Sequence, residues 1–288
     1  MMKNTKRKAT LHSALRQNSI AKAGRKGPLV WTVLGVLAAA LVAGGWIGYV
    51  KLRELWIEQC VVTDVARQVS VTTGANIKSG LILESFGLRN GANLALIDFA
   101  AKRREILERI PNIRSLSVAR HLPDRVEITV VEREPVAKMN VKGGKSVTGR
   151  VADADGVVFV RQTGTNLLPT IVEAKSPYTK AGQTLSGRPR AALALVTACQ
   201  ESDFSELHVQ SVDATRADFL YAVLGNWSFA KIAWEGMDDP PSEASSAAMR
   251  RQLAALRDSK RTPGGSAVKI WNVTIPGKAY GDTKEPIQ

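Results

Sequence analysis

The stretch Ile113–Ala137, IRSLSVARHLPDRVEITVVEREPVA, decides how this chain is read. Leu116 and Val118 alternate with Ser115 and Ser117, and after a Leu-Pro-Asp turn Val126, Ile128 and Val130 alternate with Glu127 and Thr129. A period of two is the mark of strands with one buried face, so the segment predicts a β-hairpin. Pro135 lacks an N–H donor and ends the second strand, and Glu132 is expected to pair with a nearby arginine such as Arg120.

Working backwards, Asp98 is placed to cap a helix FAAKRREILERI whose residues Phe99, Ile106, Leu107 and Ile110 fall on one side, with Pro111 as its stop. Val69 and Val71 alternate with Ser70 and Thr72 up to Gly74, and a short helix is expected from Asn76 to about Ser85. The predicted order is β-α-α-β-β. Val61–Ala137 thereby resembles the POTRA domain of the FtsQ/DivIB bacterial cell-division proteins. The likeness is carried by Gly91-Ala92-Asn93-Leu94, Ile110-Pro111, Arg120-His121-Leu122-Pro123-Asp124 and Val131-Glu132-Arg133-Glu134-Pro135-Val136-Ala137. The last of these is the most specific, and Pro123, Glu132, Pro135, Val136 and Ala137 are its motif residues.

Charge is distributed unevenly along the 288 residues. Of the net +14, the first 28 residues hold eight Lys or Arg and no Asp or Glu, leaving +6 for everything beyond. Residues 29–50, LVWTVLGVLAAALVAGGWIGYV, are uncharged, and a helix of that length is about 33 Å long, enough to cross a bilayer's hydrocarbon core. The basic flank and the terminal Trp31, Trp46 and Tyr49 predict a single-pass type II protein of the cell (inner) membrane, with residues 1–28 cytoplasmic and the bulk extracytoplasmic. A cleaved signal peptide with Ala38-Ala39-Ala40 as its site is the alternative; against it, the apolar run continues ten residues further. Gly44 and Gly48 have the spacing that lets another helix approach closely, a weak signal by itself. The basic tail abuts the span and lacks interleaved aromatics, so it is read as fixing orientation and touching anionic lipid rather than nucleic acid.

Beyond Ala137 come a turn at Lys142-Gly143-Gly144-Lys145, a tight Asp155-Gly156 turn inside VADADGVVFV, and a strand start at Leu168-Pro169-Thr170-Ile171. Helices are expected over Arg190–Glu201 and from Pro240-Pro241-Ser242 to about Lys260, the second with Met249, Leu253 and Leu256 on one face. Strands are expected at Leu207–Asp213, Asp218–Leu224, Phe229–Trp234 and Val268–Ile275, with a polar, disordered end over Gly281–Gln288. In order and spacing this half resembles the family's β-domain, although Lys269-Ile270-Trp271-Asn272-Val273 stands where an Asp-Leu-Arg-like stretch is usual, and Trp234-Glu235-Gly236 where a Leu-Gly is. The fold class is α+β: a transmembrane helix (29–50), a juxtamembrane linker (51–60), a POTRA domain (61–137), and a β-rich domain with two helices (138–280).

No catalytic or metal constellation emerges. His121 and His208 are read as surface or pairing residues in a turn and a strand, and neither HExxH nor GxSxG occurs. Gly144-Lys145-Ser146 mimics the end of a phosphate loop, yet Met139 stands where its first glycine is required. Asp153 and Asp155 lack the further acids of a calcium loop, and Cys60 and Cys199 are expected to be isolated thiols. No cofactor, nucleic acid or small-molecule substrate is expected.

Resemblance to FtsQ/DivIB implies a non-enzymatic scaffold at the division septum, with FtsB- and FtsL-like proteins as partners and membrane lipid around the span. The candidate docking site is the last strand, Val268, Lys269, Ile270, Trp271, Asn272, Val273, Thr274 and Ile275, expected at a sheet edge open to an incoming strand. The runner-up is a POTRA-bearing component of protein transport or outer-membrane assembly; such proteins usually carry repeated units and a membrane barrel, and this chain has one unit.

Overall fold

A computed structural model describes residues 28–121, 123–143 and 149–282. Helix α1 spans Pro28–Gln59. Its most apolar 18 residues have a mean hydropathy of 2.0, and the stretch Trp31–Gln59 is long and apolar enough to cross a membrane. Its helical course runs nine residues past the uncharged stretch, where a linker was expected, because KLRELWIEQ consists largely of residues that favour helix.

Residues 62–288 form a separate compact unit. Its first sheet has three strands, β1 (Val69–Thr72), β2 (Ile113–His121) and β3 (Arg125–Glu132), in the order β1-β3-β2. The parallel β1–β3 pair needs a crossover, supplied by α3 (Ser79–Phe86), α4 (Phe99–Arg109) and β2 itself; a one-turn helix α2 (Val65–Gln68) precedes β1. Asp98 caps α4 by accepting from the Ala101 N–H at 3.0 Å. Val126, Ile128 and Val130 are all buried, Ile128 fully, as are Ile82, Phe86, Phe99 and Ile106 of the helices. A register shift between Ile113 and Ser115 lets both Ile113 and Leu116 face inward although three residues apart. The motif glycine Gly91 takes φ +87° and its N–H donates to the Val62 carbonyl at 2.7 Å, so a residue with a Cβ would strain this turn.

The second sheet has nine strands: β4 (Ala137–Val141), β5 (Arg150–Ala152), β6 (Val158–Val160), β7 (Thr170–Glu173), β8 (Ser211–Asp213), β9 (Leu220–Val223), β10 (Phe229–Ile232), β11 (Ile270–Val273) and β12 (Tyr280–Asp282). Their order is β12-β11-β10-β9-β8-β7-β4-β5-β6. Two parallel steps, β7–β8 and β10–β11, are bridged by α5 (Gly187–Gln200) and α6 (Glu243–Lys260). Ser242 caps α6 through the Ser245 N–H at 3.1 Å, and Met249, Leu253 and Leu256 are all buried, as their spacing requires. Both helices cover one face of the sheet, where Ile171, Val212, Ala222, Ile232, Trp271 and Val273 share their core. Cys199 lies in that core, and burial pushes its thiol up to about 12. Both cysteines are free.

Several local expectations need correction. His208 lies outside any strand: it follows a short 3₁₀ turn, Ser205–Leu207, with φ 44°, and the strand begins only at Ser211. Gly281 and Asp282 belong to β12 rather than to a disordered end. Asp155-Gly156 does form a turn, closed by the Gly156 N–H on the Asp153 carbonyl at 3.0 Å. Gly144-Lys145-Ser146 and Leu122 lie outside the described residues.

Candidate docking edge and junction

The expected docking strand is not an edge. Ile270–Val273 pairs in parallel with β10 on one side and antiparallel with β12 on the other, as Ile270↔Asp282, Trp271↔Gly281 and Asn272↔Tyr280. Among the described residues the rim of the sheet is therefore β12. Gly281 lies close over Val268, just ahead of β11, since a Cβ at Gly281 would stand 2.8 Å from both γ-methyls of Val268. Val268 and Lys269 precede β11, the Lys269 carbonyl accepting from the Phe229 N–H at 2.8 Å, and Thr274 and Ile275 follow it. Asn272 Oδ1 accepts from the Thr274 N–H at 3.2 Å and hydroxyl at 2.7 Å, turning the chain at the strand's end.

Gln252 meets that turn from α6. It is 2% exposed, and its Nε2 lies 3.0 Å from the Ala233 carbonyl, 2.8 Å from that of Val273 and 3.1 Å from that of Ile275. Its Oε1 accepts from the Gly277 N–H at 2.7 Å. An open groove of about 220 Å³ runs beside it, lined by Trp234, Glu235, Ala248, Arg251, Pro276 and Gly277. Sequence reading passed over Gln252, although a polar residue three positions after Met249 falls on the apolar face and signals a buried amide with partners.

The motif residues Glu132, Pro135, Val136 and Ala137 lie at the passage from the first sheet to the second. Glu132 does not pair with Arg120, because Glu132 faces Ile113 and Arg120 faces Val126, at opposite ends of the hairpin. Its carboxylate instead accepts from the Asn76 N–H at 3.0 Å, the Asn76 side-chain amide at 2.7 Å and the Ile77 N–H at 2.7 Å. Burial alone would raise this carboxyl, but the Asn76 and Ile77 hydrogen bonds outweigh it and hold it below the usual range. Gly74 makes room for it, as a Cβ there would stand 2.6 Å from the carboxyl carbon. The Arg120 guanidinium lies over the Phe99 ring, 5.5 Å from its centroid.

Arg133 donates from Nη1 to Asp153 Oδ2 at 2.6 Å and from Nε to the Pro111 carbonyl at 3.0 Å. Asn112 reaches the Val160 carbonyl at 2.8 Å, and Arg114 and Asp155 stand 3.2 Å apart. Pro135 sits in the four-residue passage between β3 and β4, and pairing resumes with the Val136 N–H on the Ala152 carbonyl at 2.8 Å, ahead of the fully buried Ala137. Pro123 is in the exposed hairpin turn. His121 Nε2 lies 3.6 Å from Glu127 on the hairpin surface. Among the described residues no three His, Cys, Asp or Glu come together as a metal site.

Residues 66–133 match the family model of the POTRA domain, FtsQ-type. The chain is 29% identical over 141 residues to the cell division protein FtsQ of Koribacter versatilis (strain Ellin345), an alignment covering 48% of this chain and 37% of that relative. It thus spans little more than a third of the relative's length. The resemblance read from the hairpin and its flanking motifs is borne out.

Proposed function

We propose that this chain, a carrier of the FtsQ-type POTRA domain and a relative of FtsQ, is a membrane-anchored, non-enzymatic scaffold of the bacterial division machinery. The observation that carries the reading is the match over residues 66–133, the region built around the opening hairpin. The apolar helix α1 supplies the anchor, with the basic residues 1–28 on the cytoplasmic side and residues 51–288 outside. In this reading the POTRA domain (61–137) and the β-domain (138–280) link other membrane proteins at the septum and help control septal peptidoglycan synthesis.

FtsB- and FtsL-like proteins are the proposed partners. Among the described residues β12 is the last strand of the sheet on this side and offers its outer backbone groups to an incoming strand, with Ile270–Val273, within the segment Val268–Ile275, holding β12 in place. Depleting the protein should block septation while growth continues, and a fluorescent fusion should form a band at mid-cell. Uniform membrane fluorescence with normal division would sink the division role and favour the transport reading. Alkaline phosphatase fused after Gln288 should be active, and activity only from fusions within residues 1–28 would reverse the topology.

A further inference from the structure

The turn between β11 and β12 has little of its own to hold it. Residues 274–279, TIPGKA, contain one backbone hydrogen bond across the turn, from the Lys278 N–H to the Ile275 carbonyl at 3.1 Å, and Ile275 is 47% exposed. Gly277 takes φ +67°, which leaves its N–H pointing into the protein rather than along a ladder. Its partner is Gln252.

A carboxamide has two N–H donors and one oxygen acceptor, and Gln252 directs all of them at this place. The donors reach carbonyls at the end of β10 (Ala233), the end of β11 (Val273) and the turn (Ile275), and the oxygen takes the Gly277 N–H. The Ala233 and Val273 carbonyls emerge where two parallel strands stop together, and there the Val273 carbonyl accepts from the Ala233 N–H across a long 3.4 Å. Without a donor from α6, the Ala233 carbonyl would lose this partner, the Val273 carbonyl would keep only the long contact from Ala233, and the Ile275 carbonyl only the Lys278 N–H. One side chain thus ties the helix that covers the sheet to the path by which the chain reaches its rim.

We propose that Gln252 is the positioning residue of the β11–β12 ribbon, fixing the attitude of β12 and with it the capacity of the sheet's rim to take a partner strand. The second half rests on the docking reading above; the first stands on the hydrogen bonds alone. Gln252 touches no partner itself. It acts through the turn.

Hydrogen exchange of the full chain in detergent micelles, followed peptide by peptide, tests this for Gln252→Leu and Gln252→Glu, alongside capture of the FtsB-like partner. Protection over residues 274–282 should fall roughly tenfold in both variants, the scale on which buried carbonyls losing a donor open a local segment, while residues 220–232 keep theirs. In Gln252→Glu, protection relative to the parent at the same pH should recover on acidification, when the carboxyl loses its buried charge and regains an O–H donor, whereas Gln252→Leu, of similar size and without a donor, should stay unprotected at every pH, an outcome that a purely space-filling role would not give. Unchanged protection at 274–282, or loss spread equally over both segments, would overturn the positioning role. Partner capture by the parent but not by either variant supports the link to docking, and undiminished capture by a variant whose rim has lost protection overturns it. Failure of the parent to capture the partner would sink the docking reading and leave exchange to decide the role of Gln252.

Discussion

Arg133 and Asp153 join the two sheets through a contact of 2.6 Å, with the aspartate side chain 5% exposed and the arginine 16%. Asp153 also accepts from the Val157 N–H at 2.8 Å and so belongs to the Asp155-Gly156 turn. Removing one member of so buried a pair leaves the other charge without a partner. Arg133→Met should therefore cost about 3 kcal/mol of unfolding free energy. Asp153→Asn should cost less, since an amide oxygen can still accept from Val157. Denaturant titration of the full chain in detergent measures both, and a larger loss from Asp153→Asn than from Arg133→Met would contradict this account.

The fully buried Ile128 is the centre of the hairpin's inward face. Ile128→Ala should cost roughly 2–4 kcal/mol through lost burial and the cavity left behind. The neighbouring Thr129 points outward, and Thr129→Ala should change stability by less than about 0.5 kcal/mol. Equal melting of the parent and Ile128→Ala would mean that the inward face has been assigned to the wrong residues.

Glu132 gives the junction a defined acid response. Its carboxyl is held below the ordinary value in the folded state, so its contribution is fully present above that value of about 4.3 and is lost as pH falls through the lower folded value. Glu132→Gln should flatten the fall of stability in that acidic window and leave the slope above pH 6 unchanged. Melting temperatures of parent and variant from pH 7 down to pH 3 report this; parallel curves over the whole range would show that the carboxylate's bonds to Asn76 and Ile77 carry no net stabilisation.

At the rim, the informative change is removal of β12 alone. A chain ending at Ala279 keeps β11 and its pairing to β10, and so should stay folded while losing capture of the FtsB-like partner. A proline at Val273 would be less telling, because that residue is buried and pairs with Ile232. Undiminished capture by the folded truncation would move the interface away from this rim, first of all to the basic cluster Lys102, Arg103 and Arg104 on α4.

The hairpin, the Asp98 cap, the start of α6 after Pro240-Pro241-Ser242 and its buried face were all legible in the sequence, because each is set by spacing within a few residues. What escaped depends on distant parts of the chain. Tyr280-Gly281-Asp282 has no strand pattern of its own and is extended only because Ile270–Asn272 offers it a partner, so the edge was read one strand too early. Glu132 looked like half of a local ion pair, but its donors lie 55 and 56 residues away. Gln252 reads as one polar residue among many on a helix until two strand ends and a glycine turn converge on it.

The parallel pairing of β10 with β11 also fixes an order of events during synthesis. The three-stranded sheet has all its strands once Glu132 has been made, whereas the far rim waits for the whole of α6 to cross over and for β11 and β12 to follow. Long-range pairing of this kind is closed late, after local contacts have formed. A chain interrupted between Val273 and Tyr280 would carry its apolar helix and most of its hydrophobic core yet display no β12. Whatever recognises that strand recognises, in the same act, a polypeptide translated through to Asp282.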